Sequence, residues 1–358
     1  MTYLKRTSNR LAQHPWVIAA FIIWAAAAFH ILYGIPITHI RGDEALSFIN
    51  TRPDLFTFLD NLFFWNNHPP LWYTNFWFWR RFAGDTEFAG RMESILFSMM
   101  TLAFVYRLGW RWFGQARHGL FTMALLGVNA VFFIYSLEMR PYAMNMLAAS
   151  VNMWFFTRWL DTHRPRMAIF YGLSAALLLY IHYYLVFLIA AQVIYFMLIE
   201  RPRWAVWKQG LIAGAAAIIA WLPWVPVMFA QIDYIRWRAE NKGISEVGLA
   251  TTTYDTSVRV IMELVNMATN GLPWLYGAIL LLGLVIHWRQ KRISLALLWG
   301  VAVPAMVLAV NIYANVYTHR YVSFMILGLG LAYGAALASL PRYWRVAALL
   351  AVMGASLY

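Results

Sequence analysis

The chain has no cysteine and few charged residues, and each shortage excludes a class of protein. Without cysteine, disulfide frameworks and thiolate metal sites are excluded. Charged residues make up 12% of the 358 residues and hydrophobic residues 62%, whereas a soluble globular domain carries roughly 25% charged residues. A water-soluble fold of this size cannot bury so much apolar surface. The chain is therefore predicted to be an integral membrane protein, with the bilayer as its solvent.

The sequence also lacks a Ser/Pro-rich linker, a soluble module and a convincing internal repeat, which predicts a single membrane domain over 1–358. Its apolar segments lie near the length of about 20 residues that crosses a hydrocarbon core. They predict an all-α polytopic fold with about eleven transmembrane helices, at 15–34, 91–110, 119–136, 141–159, 166–181, 184–199, 209–230, 272–288, 293–311, 322–339 and 344–358. The last of them has little room to cross, so we expect either a tight end there or a truncated sequence.

The net charge of +13 is distributed unevenly along the chain. Seventeen basic residues and only two acidic ones fall at the N-terminus and in every second connection, at 107–117, 158–166, 200–208, 289–292 and 342–345. Such a bias places the basic side in the cytoplasm, so the N-terminus is predicted to be cytoplasmic and the first helix to be retained. No basic patch sits on a soluble module, which disfavours nucleic-acid binding. Anionic membrane lipids are the expected partners of this charge.

Two connections on the opposite, outward side are long. The first, at 35–90, has apolar residues at helical spacing in 54–65 and an aromatic-rich stretch at 71–84, which predict interfacial helices that do not cross. Arg80 and Arg81 at the end of the second stretch are interpreted as headgroup anchors. The second connection, at 231–271, has mixed charge and is predicted to form a lid or an acceptor-binding segment.

On this topology, ionisable residues gather at the outer ends of the helices, at one membrane depth. They and their polar neighbours are Asp43, Glu44, His68, Arg91, Glu138, Arg140, Tyr142, His182, Tyr183 and Arg320. Such groups near hydrocarbon are costly and are functional candidates by default. Arginine and histidine suit a phosphate, and a carboxylate suits proton abstraction from a hydroxyl. The set predicts transfer from a phosphate-linked donor to a nucleophile.

Each of these residues also has a structural interpretation. Asp43 and Glu44 could simply begin a helix, because acids favour that end. His68 could lie in a solvated turn, Arg140 could anchor a loop, and His182 could be an interfacial histidine with its hydrogen bonds satisfied. The functional interpretation depends on their joint occurrence on one face.

The ordered stretches GDEALSF, NHPPLWY, FAGRMESILF, IYSLEMRPYAM, IHYYLVF and THRYVSF carry a resemblance over about residues 15–340. The sequence resembles the GT-C superfamily of membrane glycosyltransferases, in the branch with protein O-mannosyltransferases and lipid A aminoarabinose transferases. The resemblance implies a polyprenyl-phosphate-linked sugar donor, no nucleotide sugar, and inversion at the anomeric carbon.

The resemblance also implies roles for individual residues. Asp43 would be the catalytic base or acceptor-orienting carboxylate, with Glu44 as its neighbour in the motif. His68 stands where relatives often have lysine, so its phosphate contact would be sensitive to pH near neutrality. Donor-phosphate contacts are implied for His68, Arg91, Arg140 and Arg320, and substrate-pocket positions for Glu138, Tyr142, His182 and Tyr183. Asn67 is a poor metal ligand where some relatives have an acid, so no essential metal or other cofactor is predicted.

The sequence therefore predicts an inverting glycosyltransferase of a prokaryotic inner membrane, with its active site on the periplasmic or extracellular side. Its acceptor hydroxyl could belong to a lipid, a glycan or a protein. The first alternative is a transporter or flippase of lipid-linked sugar intermediates. Transporters, however, tend to place polar residues near the midplane. The second alternative is a non-catalytic scaffold.

Overall fold

A computed structural model describes residues 15–65, 68–242, 254–314 and 319–357. Within these residues all regular secondary structure is helical and there is no strand, which confirms the predicted all-α class. In chain order we label the α-helices α1 Pro15–Tyr33, α2 Gly42–Asn50, α3 Leu55–Phe64, α4 Pro70–Ala83, α5 Glu87–Phe113, α6 Ala116–Gly127, α7 Ala130–Leu137, α8 Tyr142–Thr162, α9 Pro165–Ile181, α10 Val186–Ile194, α11 Trp204–Trp221, α12 Val225–Lys242, α13 Tyr254–Ala268, α14 Pro273–His287, α15 Lys291–Leu297, α16 Val303–Ala314, α17 Met325–Ala338 and α18 Arg342–Ser356.

Helix α5 shows how the sequence sets the ends of a long helix. The side chain of Thr86 caps its start by accepting from the backbone N–H of Ala89, which satisfies one of the free donors of the first turn. Gly114 ends it with a φ of 80°, a conformation that glycine adopts without steric cost. Its 27 residues span about 40 Å at 1.5 Å per residue, enough to cross a bilayer.

Among the residues that the structure describes, six helical stretches are long and apolar enough to cross a membrane, or up to eight if each bent pair of helices is one span. This confirms an integral membrane protein. All eleven predicted segments contain helix, but the predicted count of eleven spans is not confirmed. Two pairs of consecutive helices are bent at the break between them, α6 and α7 by 66° and α13 and α14 by 71°. Each pair counts as at most one span.

Helix α17 lies at the centre of the bundle, with all of its residues buried. It packs mainly against α6 and α14, and glycines allow backbones to approach closely at these contacts. A Cβ atom on Gly334 would lie 2.6 Å from the backbone nitrogen of Thr122. Small residues at helix contacts are typical of membrane bundles, where tight packing rather than a hydrophobic driving force holds helices together.

The first long connection contains α2, α3 and α4, so its predicted helical character is confirmed at α3 and α4. The interpretation of Arg80 as a headgroup anchor is wrong. Its side chain is buried and donates to the carbonyl of Phe48 and the hydroxyl of Thr51, both at 2.7 Å, and it pairs with Asp85 at 2.5 Å. Because these bonds satisfy the guanidinium inside the protein, Arg80 fixes α4 to the end of α2.

The second long connection is helical where the structure describes it, since α12 extends to Lys242 and α13 begins at Tyr254. Residues 243–253 of the predicted lid or acceptor-binding segment lie outside the described residues.

Candidate active site

Asp43 lies in the first turn of α2, where the helix dipole favours an acid. Its carboxylate forms an ion pair with Arg320, which belongs to the short 3-10 turn His319–Val322. The two side chains retain 38% and 32% of their exposure, so the pair is accessible to a ligand. Two residues separated by 277 positions therefore meet in the fold.

Glu44, the next residue, is buried and engaged with backbone groups. One carboxylate oxygen accepts from the N–H of Arg41 at 2.8 Å, and the other accepts from the N–H of Met139 at 3.0 Å. The first bond closes a capping box at the start of α2, and the second ties the 138–140 turn to that start. This geometry favours a positioning role for Glu44, which holds Asp43 and Arg140 side by side.

Replacing Glu44 with alanine is expected to lower the free energy of unfolding by about 2–4 kcal/mol. The buried N–H of Met139 and the partly buried N–H of Arg41 both lose their acceptor. Glu44→Gln retains one carbonyl oxygen and should cost less. Thermal unfolding of both variants in lipid nanodiscs tests this, with Glu263→Ala on the exposed face of α13 as the control. Equal unfolding midpoints for Glu44→Ala and the control would contradict the positioning role.

Arg140 is the centre of the cluster and is 6% exposed. Its guanidinium donates to the hydroxyl of Tyr73 at 3.0 Å and to the hydroxyl of Ser47 at 3.2 Å. It also faces the Nε2 atom of His68 at 3.4 Å. Its Nε atom is buried without a hydrogen-bond partner among the described residues, as is the Nε atom of Arg320. Buried guanidinium donors without partners are unusual, and here they lie beside the accessible Asp43–Arg320 pair.

His68 is positioned from both sides. Its ring stacks on Tyr73, with centroids 5.5 Å apart, and its backbone carbonyl accepts from the side-chain amide of Gln231 at 3.2 Å. Burial, then the charges of Arg140, His182 and Arg320, hold the pKa of His68 well below its usual value of 6.5. The ring is therefore neutral at pH 7. The sequence predicted that its phosphate contact would be sensitive to pH near neutrality, and the lowered pKa moves that sensitivity to lower pH. Asn67 lies outside the described residues.

His182 and Tyr183 are adjacent in the sequence, but their side chains contact different parts of the protein. His182 is buried, and its ring packs on Tyr321 with centroids 4.9 Å apart. Burial, then the charge of Arg140, lowers the pKa of His182 to about 3. The hydroxyl of Tyr183 donates to Gln231 at 2.9 Å and accepts from the indole of Trp224 at 3.0 Å. His182 thus borders the Arg140 cluster, whereas Tyr183 supports the amide that holds the His68 backbone.

Tyr142 is fully buried at the start of α8. Its ring packs edge-on against Tyr135, with centroids 5.1 Å apart. Its hydroxyl lies close enough to interact with the guanidinium of Arg140. Tyr142 therefore lies beside Arg140, and its role as a substrate-pocket residue stays a prediction.

Glu138 is 4% exposed, and neither of its carboxylate oxygens has a hydrogen-bond partner among the described residues. It lines a cavity of about 50 Å³ that is also bordered by Thr38, His39, Arg41 and Arg91. Burial, then the negative charge of Glu44, raises the pKa of Glu138 from 4.5 to about 7. A buried acid that changes charge near neutrality is typical of functional sites.

This pKa predicts how stability depends on pH. The folded protein keeps the Glu138 proton up to about pH 7 and the unfolded chain only up to about 4.5. The contribution of Glu138 to stability is therefore complete below pH 4.5 and is lost as the pH rises through 7, by up to about 3 kcal/mol. Glu138→Gln should remove this dependence. Unfolding midpoints of the wild type, Glu138→Gln and the exposed control Glu263→Gln, measured from pH 4.5 to 8, test it. Parallel curves for all three would contradict it.

Arg91 is not brought into the Arg140 cluster. It pairs with Glu87 at 2.8 Å, one helical turn away, and donates to the carbonyl of Thr38 at 3.2 Å and to its hydroxyl. It borders the same small cavity as Glu138. Its side chain therefore joins α5 to the residues that follow α1.

Sequence reasoning missed three residues that hold the cluster, namely Ser47, Tyr73 and Gln231. Each is a polar side chain with apolar or aromatic residues directly beside it in the sequence. That contrast was the available signal, because a polar group that is buried needs a partner. Within the described part of the chain, no group of three or more potential metal-binding side chains converges.

Comparison with known proteins adds two findings. The family model of dolichyl-phosphate-mannose-protein mannosyltransferases matches residues 67–228, a range that includes His68, Arg140 and His182 but not Asp43 or Arg320. Comparison with curated protein sequences gives no match.

The fold is also found among solved structures. The crystal structure of ArnT from Cupriavidus metallidurans bound to undecaprenyl phosphate superposes with a TM-score of 0.65 at 15% sequence identity. The similarity covers 95% of this chain and 62% of that chain, so the chain spans less than two thirds of the length of that relative. The chain therefore has the fold of ArnT. Together with the family-model match over 67–228, this confirms its resemblance to the branch of mannosyltransferases and aminoarabinose transferases.

Proposed function

We propose that the protein is an inverting glycosyltransferase that moves a sugar from a polyprenyl-phosphate-linked donor to a hydroxyl acceptor. The observation that carries the proposal is the accessible Asp43 carboxylate, which pairs with Arg320, while the buried Arg140 donates to the backbone carbonyl of Asp43 at 3.5 Å. A residue whose carboxylate meets one guanidinium and whose backbone meets a second combines a proton acceptor with a phosphate site. The fold that the protein shares with ArnT, which was crystallised with undecaprenyl phosphate, supports this class of donor.

Arg140 and Arg320 bind the donor phosphate in this proposal. Each has a buried Nε donor without a partner among the described residues, and phosphate oxygens are the acceptors that arginine binds best. Neutral His68 and the hydroxyl of Tyr142 complete the surface that faces the phosphate. The Nε atom of Arg91 also lacks a partner among the described residues, but Arg91 pairs with Glu87 and Thr38 outside the Arg140 cluster, so we assign it a structural role.

The reaction is a single in-line displacement. The acceptor oxygen forms a bond to the anomeric carbon while the bond from that carbon to the phosphate oxygen breaks, and its electron pair stays on the departing polyprenyl phosphate. Asp43 takes the proton of the acceptor hydroxyl. Arg140 and Arg320 stabilise the charge that develops on the phosphate, and such stabilisation contributes strongly to catalysis. Glu44 positions Asp43, and Glu138, Tyr142 and His182 border the sugar.

We place this site on the periplasmic or extracellular side of a prokaryotic inner membrane. The opposite end of the bundle supports this orientation. There Asp161 joins Arg111 at 2.6 Å and Arg292 at 2.5 Å. Three connections that the charge bias assigns to the cytoplasm thus meet at one end.

The test is reconstitution of the protein in liposomes with polyprenyl-phosphate sugars labelled in the sugar, together with membrane acceptors. We expect the label to leave the lipid and polyprenyl phosphate to be released. Movement of intact labelled lipid across the bilayer, without consumption of any donor, would replace the proposal with the transporter alternative.

A further inference from the structure

A wide cleft opens beside the candidate active site, between the end of α3 and the middle of α12. Its volume is about 560 Å³, and its walls are Asp60, Phe64, Trp65, Asp233, Tyr234 and Trp237. Ligand sites commonly measure roughly 300–1,000 Å³ and combine aromatic walls with a few polar groups. None of these residues takes part in the chemistry proposed above.

The cleft adjoins the Arg140 cluster through the chain itself. Trp65 precedes His68 by three residues, a separation of at most about 11 Å along an extended chain. From the other wall, the side-chain amide of Gln231 donates to the backbone carbonyls of Leu62 and His68 at 3.1 and 3.2 Å. Gln231, which belongs to α12, therefore fixes both α3 and His68 relative to α12. His68 in turn faces Arg140.

The rings of the cleft form a platform at the protein surface. Trp65 packs edge-on against Tyr234 at 5.4 Å, and Tyr234 lies nearly parallel to Trp237 at 6.2 Å. Trp65 and Trp237 nevertheless remain 56% and 46% exposed. Aromatic rings with this much exposed surface suit a partner with a flat apolar face of its own.

The charges of the cleft restrict what that partner can be. Asp60 and Asp233 both line it. Asp233 lies 3.8 Å from Arg236, but both side chains are about three-quarters exposed, so that pair is weak. Carboxylates beside the aromatic platform disfavour a lipid tail, because hydrocarbon desolvates them, and they repel a phosphate. They accept hydrogen bonds from hydroxyl or ammonium groups.

We propose that this cleft binds an uncharged or amine-bearing saccharide chain, which is the acceptor of the transfer reaction. The C–H faces of a sugar ring would stack on Trp65 and Trp237, and its hydroxyl or amino groups would donate to Asp60 and Asp233. The assignment as acceptor depends on the proposed function, whereas saccharide binding itself does not.

The experiment measures binding of maltohexaose, mannohexaose, cellohexaose, chitosan hexamer and hexagalacturonate to the protein in nanodiscs. We expect at least one uncharged or amine-bearing oligosaccharide to bind and the anionic hexagalacturonate to be rejected. Trp65→Ala and Trp237→Ala should each weaken binding about tenfold or more, because each removes a stacking face. Asp60→Asn combined with Asp233→Asn should relax the rejection of hexagalacturonate.

Two controls separate the outcomes. Phe56→Ala removes an aromatic side chain of α3 that is 83% exposed and outside the cleft, and it should bind as the wild type does. Asp43→Asn should also retain saccharide binding, since Asp43 does not line the cleft. Binding without sugar transfer would overturn the proposed function and leave the saccharide site standing. Failure of every oligosaccharide to bind, or equal binding by the tryptophan variants and Phe56→Ala, would overturn the saccharide site.

Discussion

Asp43→Asn is expected to lower the rate of sugar transfer by about 10²–10⁴, the usual contribution of a general base. The amide has nearly the shape of the carboxylate but cannot take a proton from the acceptor hydroxyl. It also removes the negative partner of Arg320, which leaves that guanidinium free for phosphate. We therefore expect donor binding to be retained or strengthened while turnover is lost. Rates with a labelled donor, together with the affinity for polyprenyl phosphate, separate the two effects.

The matched control for this variant is Asp54→Asn. Asp54 caps α3 in the same connection, where it accepts from the N–H groups of Phe56 and Thr57. Asparagine caps helices about as well as aspartate, so this control makes the same chemical change without loss of structure. Full activity of Asp43→Asn would contradict the assignment of the base, and equal losses in both variants would indicate a general effect of charge.

Arg140→Lys is expected to lower transfer by about 10²–10³, the range seen when one transition-state donor is removed. Lysine keeps the charge but has no planar fork, so it cannot reach Tyr73, Ser47 and the phosphate together. The loss should appear mainly in kcat if Arg140 stabilises the charge that develops on the leaving group, and in KM if it only holds the donor. Steady-state kinetics with varied donor concentration distinguish these cases.

Arg81→Lys is the control for that measurement. Arg81 donates to the carbonyl of Pro53 at 2.7 Å and stacks on Trp77, away from the Arg140 cluster. Its replacement should change the rate by less than about threefold, which corresponds to the small free energies of exposed contacts. If Arg140→Lys were as active as this control, the guanidinium of Arg140 would have no role in transfer.

The sequence predicted the fold class because the apolar segments leave no alternative to a bilayer. It also predicted the cluster, since topology brings Asp43, Arg140 and Arg320 to one end of the bundle. Their individual contacts could not be predicted. Glu44 meets the amide of Met139, 95 residues away, and no periodicity encodes such a contact.

Two other differences have local causes. Arg80 is buried because Asp85 and two oxygens of α2 satisfy it, whereas the aromatic stretch around it suggested only an interface. Arg91 is drawn to Glu87, four residues earlier. That spacing on a helix is visible in the sequence and could have indicated the pair.

The central claim is that Arg140 and Arg320 bind the phosphate of a lipid-linked donor beside Asp43. The most direct test is a structure of the protein in nanodiscs with undecaprenyl phosphate. The account predicts phosphate oxygens within hydrogen-bonding distance of both guanidinium groups, on the side that Asp43 faces. A phosphate held by Arg111 and Arg292 at the opposite end of the bundle, or by Arg91 alone, would contradict it.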